Sequence, residues 1–243
     1  MKKAIRLNGL TKKFGDKTAV DNISLEINEG ELFGLLGVNG AGKTTTIRML
    51  TGLSRPTSGE AEILGYDLKK ELDRIKSLIN VSTQETAVAG NLTVKENLLF
   101  IGRIYGLDKD KLESSLKEVF EALELDEVKD QKAKTLSGGW QRRLSIAMAL
   151  ITSPKMIFLD EPTLGLDVLA RRELWTVVRK LHGKITIILT THYLDEAEAL
   201  CDRIAIMAKG HILALGTSEE IKSKAGAEKL EDAFVKIVGG EVK

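Results

Sequence analysis

The chain has 243 residues, enough for one domain with a substantial core or for a core with a subdomain. Its 36 Lys and Arg residues nearly balance its 35 Asp and Glu residues, which argues against a general nucleic-acid binder, and no apolar run approaches the roughly 18 residues of a membrane-spanning helix. Cys201 is the single cysteine, so an internal disulfide is excluded, and we expect a reducing compartment and a small buried thiol.

The first part of the chain is rich in predicted strands. Residues 4–36 have mostly strand character, and Ile23, Leu25 and Ile27 alternate with polar residues as in a half-buried strand. A Pro- and Gly-containing turn then precedes another predicted strand over 60–64. These segments predict an antiparallel β element packed against the core.

A glycine-rich loop follows the strand predicted over 32–36. The segment Gly37-Val38-Asn39-Gly40-Ala41-Gly42-Lys43-Thr44 fits the pattern G-x-x-x-x-G-K-[ST], and a helix ended by Gly52 follows it. Glycines let consecutive N–H groups point inward, and the helix start adds unpaired donors and partial positive charge. The context favours a nucleotide site over a chance turn, with Lys43 at the β- and γ-phosphates and the Thr44 hydroxyl on Mg²⁺.

The pattern becomes helical after Gln84. Thr93 and Glu96 form a capping box that begins a helix closed by Gly106, and Asp108 is the predicted N-cap of a second helix running to about Leu123. We therefore predict a helical insert over 85–153. The alternative is that these helices form only a layer of the core.

Alternating strands and helices return after this segment. We predict buried parallel strands over 156–159 and 185–189, a helix over 168–181, a hairpin over 203–215 and a helical tail over 219–238. Strands that alternate with helices predict a doubly wound sheet.

Two carboxylates, Asp160 and Glu161, end the apolar strand 156–159. Sites in α/β sheets lie at the carboxyl ends of strands, so both should face the phosphate loop, and side-chain alternation gives them different tasks. One can hold Mg²⁺ and the other can orient or deprotonate the attacking water. A solvated acidic turn is the alternative. Ser137, before the predicted helix that starts with two glycines, is a candidate N-cap and anion-binding turn.

Together these motifs resemble those of the nucleotide-binding subunits of ABC transporters, in the same order and along the whole chain. The matching segments are the phosphate loop, 136–139, 159–163, 165–167 and 191–192. The segments 144–147, 194–198 and 230–234 are similar to the subgroup that serves ABC-2-type and drug-resistance exporters. The resemblance implies an α/β fold: a P-loop NTPase (RecA-like) core over 1–84 and 154–243, with an antiparallel β subdomain and an inserted α-helical subdomain over 85–153 that carries the signature motif.

The resemblance also implies roles for individual residues. Glu161 and His192 would be catalytic, as the base and as the γ-phosphate contact, whereas Thr44, Gln84 and Asp160 would bind Mg²⁺ or its water. The implied ATP-binding residues are Phe14, Gly37, Val38, Asn39, Gly40, Ala41, Gly42, Lys43, Thr44, Thr45 and, from the opposite subunit, Ser137, Gly138 and Gly139. Phe14 would stack on adenine, although it could instead be a core aromatic. Asp167 would cross the dimer interface.

Three positions depart from the family pattern. Thr83 replaces a frequent Pro before the glutamine, Trp140 replaces Gln or Met after the two glycines, and Val168 replaces a frequent Pro. None of these removes a phosphate or Mg²⁺ ligand. Trp140 bears most on the contact with the opposite subunit, because an indole is bulky and cannot accept a hydrogen bond.

The implied function is ATP hydrolysis that drives a separately encoded membrane permease, with export as the expected direction. Two copies, or one copy and a related ATPase, would close head to tail around two ATP molecules at the cytoplasmic, inner face of the membrane, and no nucleic-acid partner is expected. The helical insert and the Gln84 loop would form the docking groove. A soluble ATPase switch acting on DNA or the ribosome is the alternative, although such relatives tend to carry two cassettes or a coiled-coil insertion. A binding module without hydrolysis is disfavoured because Glu161 and His192 are both present.

Overall fold

The computed structural model describes residues 2–240. Its strands are β1 (Lys3–Phe14), β2 (Lys17–Asn28), β3 (Leu32–Leu36), β4 (Ser58–Ile63), β5 (Tyr66–Asp67), β6 (Ile79–Ser82), β7 (Met156–Asp160), β8 (Thr186–Thr191), β9 (Arg203–Ala208) and β10 (His211–Gly216). Its α-helices are α1 (Lys43–Leu50), α2 (Leu72–Lys76), α3 (Val94–Ile104), α4 (Lys109–Leu123), α5 (Gly138–Leu150), α6 (Val168–Leu181), α7 (Leu194–Leu200), α8 (Ser218–Ala225) and α9 (Leu230–Gly239).

The central sheet has six strands in the order β10-β9-β3-β8-β7-β6, with β10 antiparallel at one edge and the other pairs parallel. Every residue of β3, β7 and β8 is buried, as expected for strands covered on both faces. Leu36 pairs with Thr191, and Asp160 pairs with Thr190. The carboxyl ends of β3, β7 and β8 therefore meet at one edge, which confirms the predicted α/β fold and fixes where its loops converge.

A second sheet of four strands, in the order β2-β1-β4-β5, is antiparallel throughout. Its strands bury Ile5, Leu10 and Ile23 in one hydrophobic cluster with Phe33 of β3 and Ile47 of α1. The sheet thus packs on the strand and helix that flank the glycine-rich loop, and the predicted antiparallel β element is confirmed.

Helices α3, α4 and α5 begin where the sequence indicated. Thr93 and Glu96 form the capping box of α3, and the Asp108 side chain accepts from the Lys111 amide at the start of α4. Apolar side chains of all three helices share a hydrophobic cluster with Ile157 of β7 and Leu189 of β8. The helices are therefore anchored on the same face of the central sheet, while their bounds as a separate subdomain stay a prediction.

The tail predicted as helical over 219–238 consists of two helices, α8 and α9. Gly226 adopts a left-handed conformation (φ 58°), and its amide donates to the last turn of α8, which ends that helix. Ile221 of α8 and Leu230 of α9 then pack in one small cluster. Among residues 2–240, no helix has both the length and the apolar character needed to cross a membrane.

Candidate functional site

The glycine-rich loop connects β3 to α1 along a path that two glycines make possible. A Cβ added to Gly37 would lie 2.3 Å from the Met207 carbonyl oxygen, and one added to Gly42 would lie 2.7 Å from the Ala19 carbonyl oxygen. Gly42 also has a φ of 109°, which residues with side chains rarely adopt. Larger residues at either position would therefore displace the loop from β9 or β2.

Lys43 lies at the first position of α1 and is almost completely buried, with 4% of its surface exposed. Its Nζ donates to the carbonyl oxygens of Gly37 (2.7 Å) and Val38 (3.3 Å) and lies 3.4 Å from Glu161 Oε1. Val38, Asn39 and Gly40 at the outer part of the loop are exposed, Ala41 is buried, and Thr44 and Thr45 are half-buried. The loop backbone is thus open to a ligand on one side while the lysine ammonium is fixed underneath it.

Asp160, at the end of β7, is buried beside two hydroxyl groups. Its Oδ1 accepts from Thr44 Oγ1 at 3.2 Å and from Thr190 Oγ1 at 2.5 Å. A carboxylate next to a threonine hydroxyl is a set of hard oxygen donors, which suits Mg²⁺. Sequence reasoning missed Thr190, because the register between β7 and β8 brings it to Asp160 and no motif spacing indicates that pairing.

Glu161 follows directly but has different neighbours. Its Oε1 faces Lys43 Nζ, and its Oε2 lies 3.3 Å from His192 Nδ1, which follows β8. The nitrogen and oxygen are not aligned for a hydrogen bond, so within residues 2–240 His192 Nδ1 has no hydrogen-bond partner. The structure thus brings Lys43, Thr44, Asp160, Glu161 and His192 together at the carboxyl edge of the sheet.

The backbone of Glu161 is strained. It has a φ of 48°, in the left-handed region that residues other than glycine rarely adopt. Its amide donates to both the carbonyl oxygen (3.1 Å) and the hydroxyl (3.0 Å) of Thr190. Neighbouring strand β8 therefore helps to hold the residue in this conformation.

A buried arginine, Arg142 of α5, contacts the backbone on both sides of Glu161. Its guanidinium donates to the carbonyl oxygens of Pro162 and Asp160, and also to those of Thr83 and Gln84 in the loop after β6. Burial lowers the pKa of Arg142 to about 10, against the opposing effect of the Asp160 and Glu196 charges. Sequence reasoning missed this role, although a charged residue inside an apolar helix is itself a signal.

Gln84, the third predicted metal ligand, lies in the loop after β6 and its residue is exposed. Its carbonyl oxygen is 3.2 Å from Arg142 Nη1, whereas Arg142 Nη2 reaches the Asp160 carbonyl at 2.9 Å. The loop is thus tied to the strand end that carries Asp160, and a Mg²⁺ contact of the Gln84 side chain stays a prediction.

Phe14 ends β1 with 54% of its surface exposed, so it is not a core aromatic. The Lys12 ammonium lies 4.8 Å from the centre of its ring. An exposed aromatic face near a cation fits a stacking role, and adenine stacking stays a prediction.

The segment Ser137-Gly138-Gly139, called here the signature turn, precedes and begins α5. Ser137 occupies the predicted N-cap position, but within residues 2–240 its side chain makes no capping hydrogen bond. Ser137 and Gly138 are exposed and Gly139 is half-buried. A Cβ added to Gly139 would lie 3.1 Å from Ala170 Cβ of α6. The turn therefore lies open on the surface, with its glycines close to the start of α6.

Trp140 does not project freely from the signature turn. It is half-buried against the helical cluster, and the Arg143 guanidinium lies 4.6 Å from the centre of the indole. The bulk of Trp140 thus leaves Ser137 exposed.

Asp167 also has contacts inside the chain. Its Oδ1 accepts from the amides of Leu169 and Ala170 and caps α6.

Behind His192, Glu196 of α7 is fully buried. Its Oε1 accepts from Trp175 Nε1 at 3.0 Å. Burial raises the pKa of Glu196, and the Thr191, Thr163 and Trp175 side chains oppose that rise. Sequence reasoning did not single out this residue.

Comparison with known proteins agrees with this geometry. The profile of the family described as "ABC transporter" matches residues 20–164. The daunorubicin/doxorubicin resistance ATP-binding protein DrrA of Streptomyces peucetius is 42% identical over 94% of this chain and 69% of its own length. The probable multidrug ABC transporter ATP-binding protein YbhF of Escherichia coli is 39% identical over 96% of this chain and 41% of its own length.

Solved structures show the same fold. The ADP conformation of MJ1267, an ATP-binding cassette of an ABC transporter, superposes with a TM-score of 0.85 at 29% identity, over 97% of this chain and 99% of that one. A second structure, described as the ATP-binding subunit of an ABC transporter, has a TM-score of 0.84 at 27% identity, over 96% of this chain and 99% of that one.

Proposed function

The chain belongs to the ABC transporter family and is an ATP-binding subunit with ATPase activity; from this premise we propose that it hydrolyses Mg²⁺-ATP at the carboxyl edge of the central sheet to drive export. The observation that supports this proposal is the convergence of Lys43, Asp160, Glu161 and His192. Their mutual contacts join the glycine-rich loop, the end of β7 and the end of β8.

Each of these residues has a task that fits its surroundings. Lys43 and the loop amides bind the β- and γ-phosphates, and Thr44 and Asp160 hold Mg²⁺, with Gln84 on the same side. Mg²⁺, when bound, neutralises charge that develops on the phosphate oxygens. Glu161 accepts a proton from the attacking water, and His192 contacts the γ-phosphate and holds that geometry.

The signature turn belongs, in this proposal, to the site of an opposite copy. Ser137 and Gly138 are exposed, so a second copy or a related ATPase packed head to tail can reach them. A helix start with free amides binds anions well. Two ATP molecules are then enclosed by two chains, and Asp167 lies at the interface between them.

The membrane partner docks, we propose, on the helical segment 85–153 beside the Gln84 loop. Three large side chains at the carboxyl end of α3 are exposed there, Phe100 (51%), Ile104 (61%) and Tyr105 (54%), and exposed apolar patches often mark interaction sites. The partner is a permease subunit, which places this chain at the cytoplasmic face of the membrane. Drug export follows from the likeness to DrrA and YbhF, whose names assign them to drug resistance and multidrug transport. The same likeness favours transport over a switch that acts on DNA or the ribosome.

The test is the Glu161→Gln variant. Loss of a general base should lower kcat for ATP by about 10²–10⁴-fold, which corresponds to about 3–5 kcal/mol of barrier. ATP binding should persist, and sedimentation should show an ATP-dependent dimer. Glu228→Gln is the control, because Glu228 is exposed on the loop before α9. If the Glu161 variant turned over ATP at the wild-type rate, Glu161 would lose its role as the base.

A further inference from the structure

The environment of Arg142 is unusual for a charged side chain. It has 4% of its surface exposed, and within residues 2–240 all its hydrogen-bond acceptors are backbone carbonyl oxygens. The bonds are to Pro162 (Nε, 2.7 Å), Thr83 (Nη1, 2.6 Å), Gln84 (Nη1, 3.2 Å) and Asp160 (Nη2, 2.9 Å). Burying a cation is costly, and such a cost persists where the bonds fix something that matters.

The four carbonyls belong to the two segments on which the proposed hydrolysis depends. Asp160 and Pro162 are the residues immediately before and after Glu161, so one guanidinium holds both flanks of the base. Thr83 and Gln84 lie in the loop proposed to contact Mg²⁺. A planar guanidinium with five fixed donors suits such convergence better than an ammonium group does.

Glu161 needs this support because of its backbone. Its left-handed φ of 48° persists only where surrounding contacts enforce it. Strand β8 supplies two of these contacts at the Glu161 amide. Arg142 adds contacts to the carbonyl oxygens of the residues before and after Glu161, from a helix that begins at the signature turn.

We propose that Arg142 is a positioning residue for hydrolysis, which holds the Glu161 backbone and the Gln84 loop in register and joins both to the helix of the signature turn. The inference rests on the proposed function. Arg142 reaches no reacting atom in this scheme and acts through Glu161 and Gln84. A shift of either residue by about 1 Å is enough to lower a rate by on the order of 10²-fold.

Arg143, the next residue on α5, provides a matched control. It is also buried, with 6% exposed, but it pairs with the side chains of Glu124 and Glu173 and covers Trp140. Replacement of either arginine by lysine keeps one buried cation and removes donors. The two variants therefore share the cost of a perturbed buried charge, and they differ in whether the Glu161 backbone loses its contacts.

The experiment compares Arg142→Lys, Arg142→Gln and Arg143→Lys with wild type by steady-state hydrolysis of Mg²⁺-ATP and by ADP titration. We expect both Arg142 variants to lower kcat by about 10–100-fold while the ADP Kd stays within about threefold, because the phosphate loop is untouched. Arg142→Lys should retain more activity than Arg142→Gln. Arg143→Lys should keep kcat within about threefold of wild type.

Hydrogen exchange gives a readout that does not require turnover. Peptides covering 81–86 and 158–164 should exchange faster in both Arg142 variants than in wild type and in Arg143→Lys. Arg142→Lys keeps the buried charge and Arg142→Gln removes it. If one of the two variants fails to fold, the other still tests the positioning role.

Two results would overturn the positioning role: wild-type kcat in folded Arg142 variants, or losses of kcat and of protection equal to those of Arg143→Lys. Failure of the proposed function looks different. In that case wild type would not hydrolyse Mg²⁺-ATP, or Glu161→Gln would hydrolyse it as fast as wild type. The exchange data would still report whether Arg142 holds the two segments.

Discussion

The glycine-rich loop and the signature turn are both short glycine-containing turns that begin a helix, yet they differ in how far their own chain completes them. Lys43 bonds to its own loop and faces Glu161, and Thr44 bonds to Asp160, so the first turn is enclosed on its inner side. Ser137 and Gly138 are exposed, and the Ser137 side chain caps nothing within residues 2–240.

Two turns of similar local sequence can therefore have different surroundings: one is enclosed by its own chain, and the other is exposed. The loop after β3 and the start of α1 are held by contacts to the ends of β7 and β8 in the same chain. The turn before α5 is exposed at Ser137 and Gly138, and its helix is held to the rest of the chain through Arg142 and Arg143. An exposed but rigid turn suits a contact that a second chain completes.

The largest effect expected on ATP binding tests the enclosed turn. Lys43→Ala should weaken ATP binding by about 10–150-fold, since hydrogen bonds to charged groups contribute about 1.5–3 kcal/mol. The substitution is best made in the Glu161→Gln background, so that no buried carboxylate loses its cation. Titration calorimetry with ATP measures the change, and Lys224→Ala on the exposed face of α8 is the control. Equal affinities would mean that this lysine does not bind the phosphates.

The next effect tests the open turn. Ser137→Arg should leave the ATP affinity of the single chain within about threefold, because an exposed position tolerates bulk. Turnover should fall by about 30-fold, the effect of losing an interface hot spot of about 2 kcal/mol. The ATP-dependent dimer should disappear in sedimentation. Ser223→Arg, at another exposed serine, should behave as wild type, and an intact dimer in the Ser137 variant would rule out the interface.

Sequence alone predicts the enclosed turn well because its determinants are local. A strand, glycines, Lys43 and Thr44 follow one another, and helices α3, α4 and α6 likewise begin at caps that lie within a few residues. The predicted helical tail forms as two helices, because Gly226 in a left-handed conformation ends α8, and the sequence pattern did not locate that break.

The parts of the site that sequence did not predict depend on distant residues. Thr190 bonds to Asp160 across two paired strands, and Arg142 meets carbonyls that are about 20 and 60 residues away in the sequence. No motif spacing encodes these meetings, because the register of the sheet and the packing of α5 create them. The orientation of Trp140 could not be predicted from the sequence either. Its bulk suggested interference with the opposite subunit, whereas its contact with Arg143 turns the indole toward its own chain.

A smaller effect concerns Trp140 itself. Trp140→Gln should lower the free energy of unfolding by about 1–2 kcal/mol, because a half-buried indole and its contact with the Arg143 guanidinium are lost. ATP turnover should stay within about twofold of wild type, since the indole faces its own chain. Urea unfolding and steady-state kinetics measure the two quantities. A large change in turnover with unchanged stability would mean that the indole contacts the opposite subunit.

The smallest effect concerns two glutamates on α7, which lies behind the enclosed turn. Burial raises the pKa of Glu196 above 4.5, so the folded state holds its proton more tightly than the unfolded state does. Stability from this group is therefore complete below about pH 4.5 and is lost as the pH rises through the folded pKa. Glu196→Gln should remove that loss and stabilise the protein at pH 8 by about 1 kcal/mol, with no gain at pH 4.

Glu198 is the matched control because its pKa shifts in the opposite direction. Burial raises that pKa, but hydrogen bonds from Lys222 and Ser218 outweigh burial and lower it. Stability from Glu198 is then present above the unfolded value and is lost as the pH falls through the folded pKa. Glu198→Gln should therefore lower the melting temperature at pH 8, where Glu196→Gln raises it. Thermal unfolding at pH 4 and pH 8 measures both melting temperatures. If the two variants shifted the melting temperature in the same direction at pH 8, burial would not dominate the pKa of Glu196.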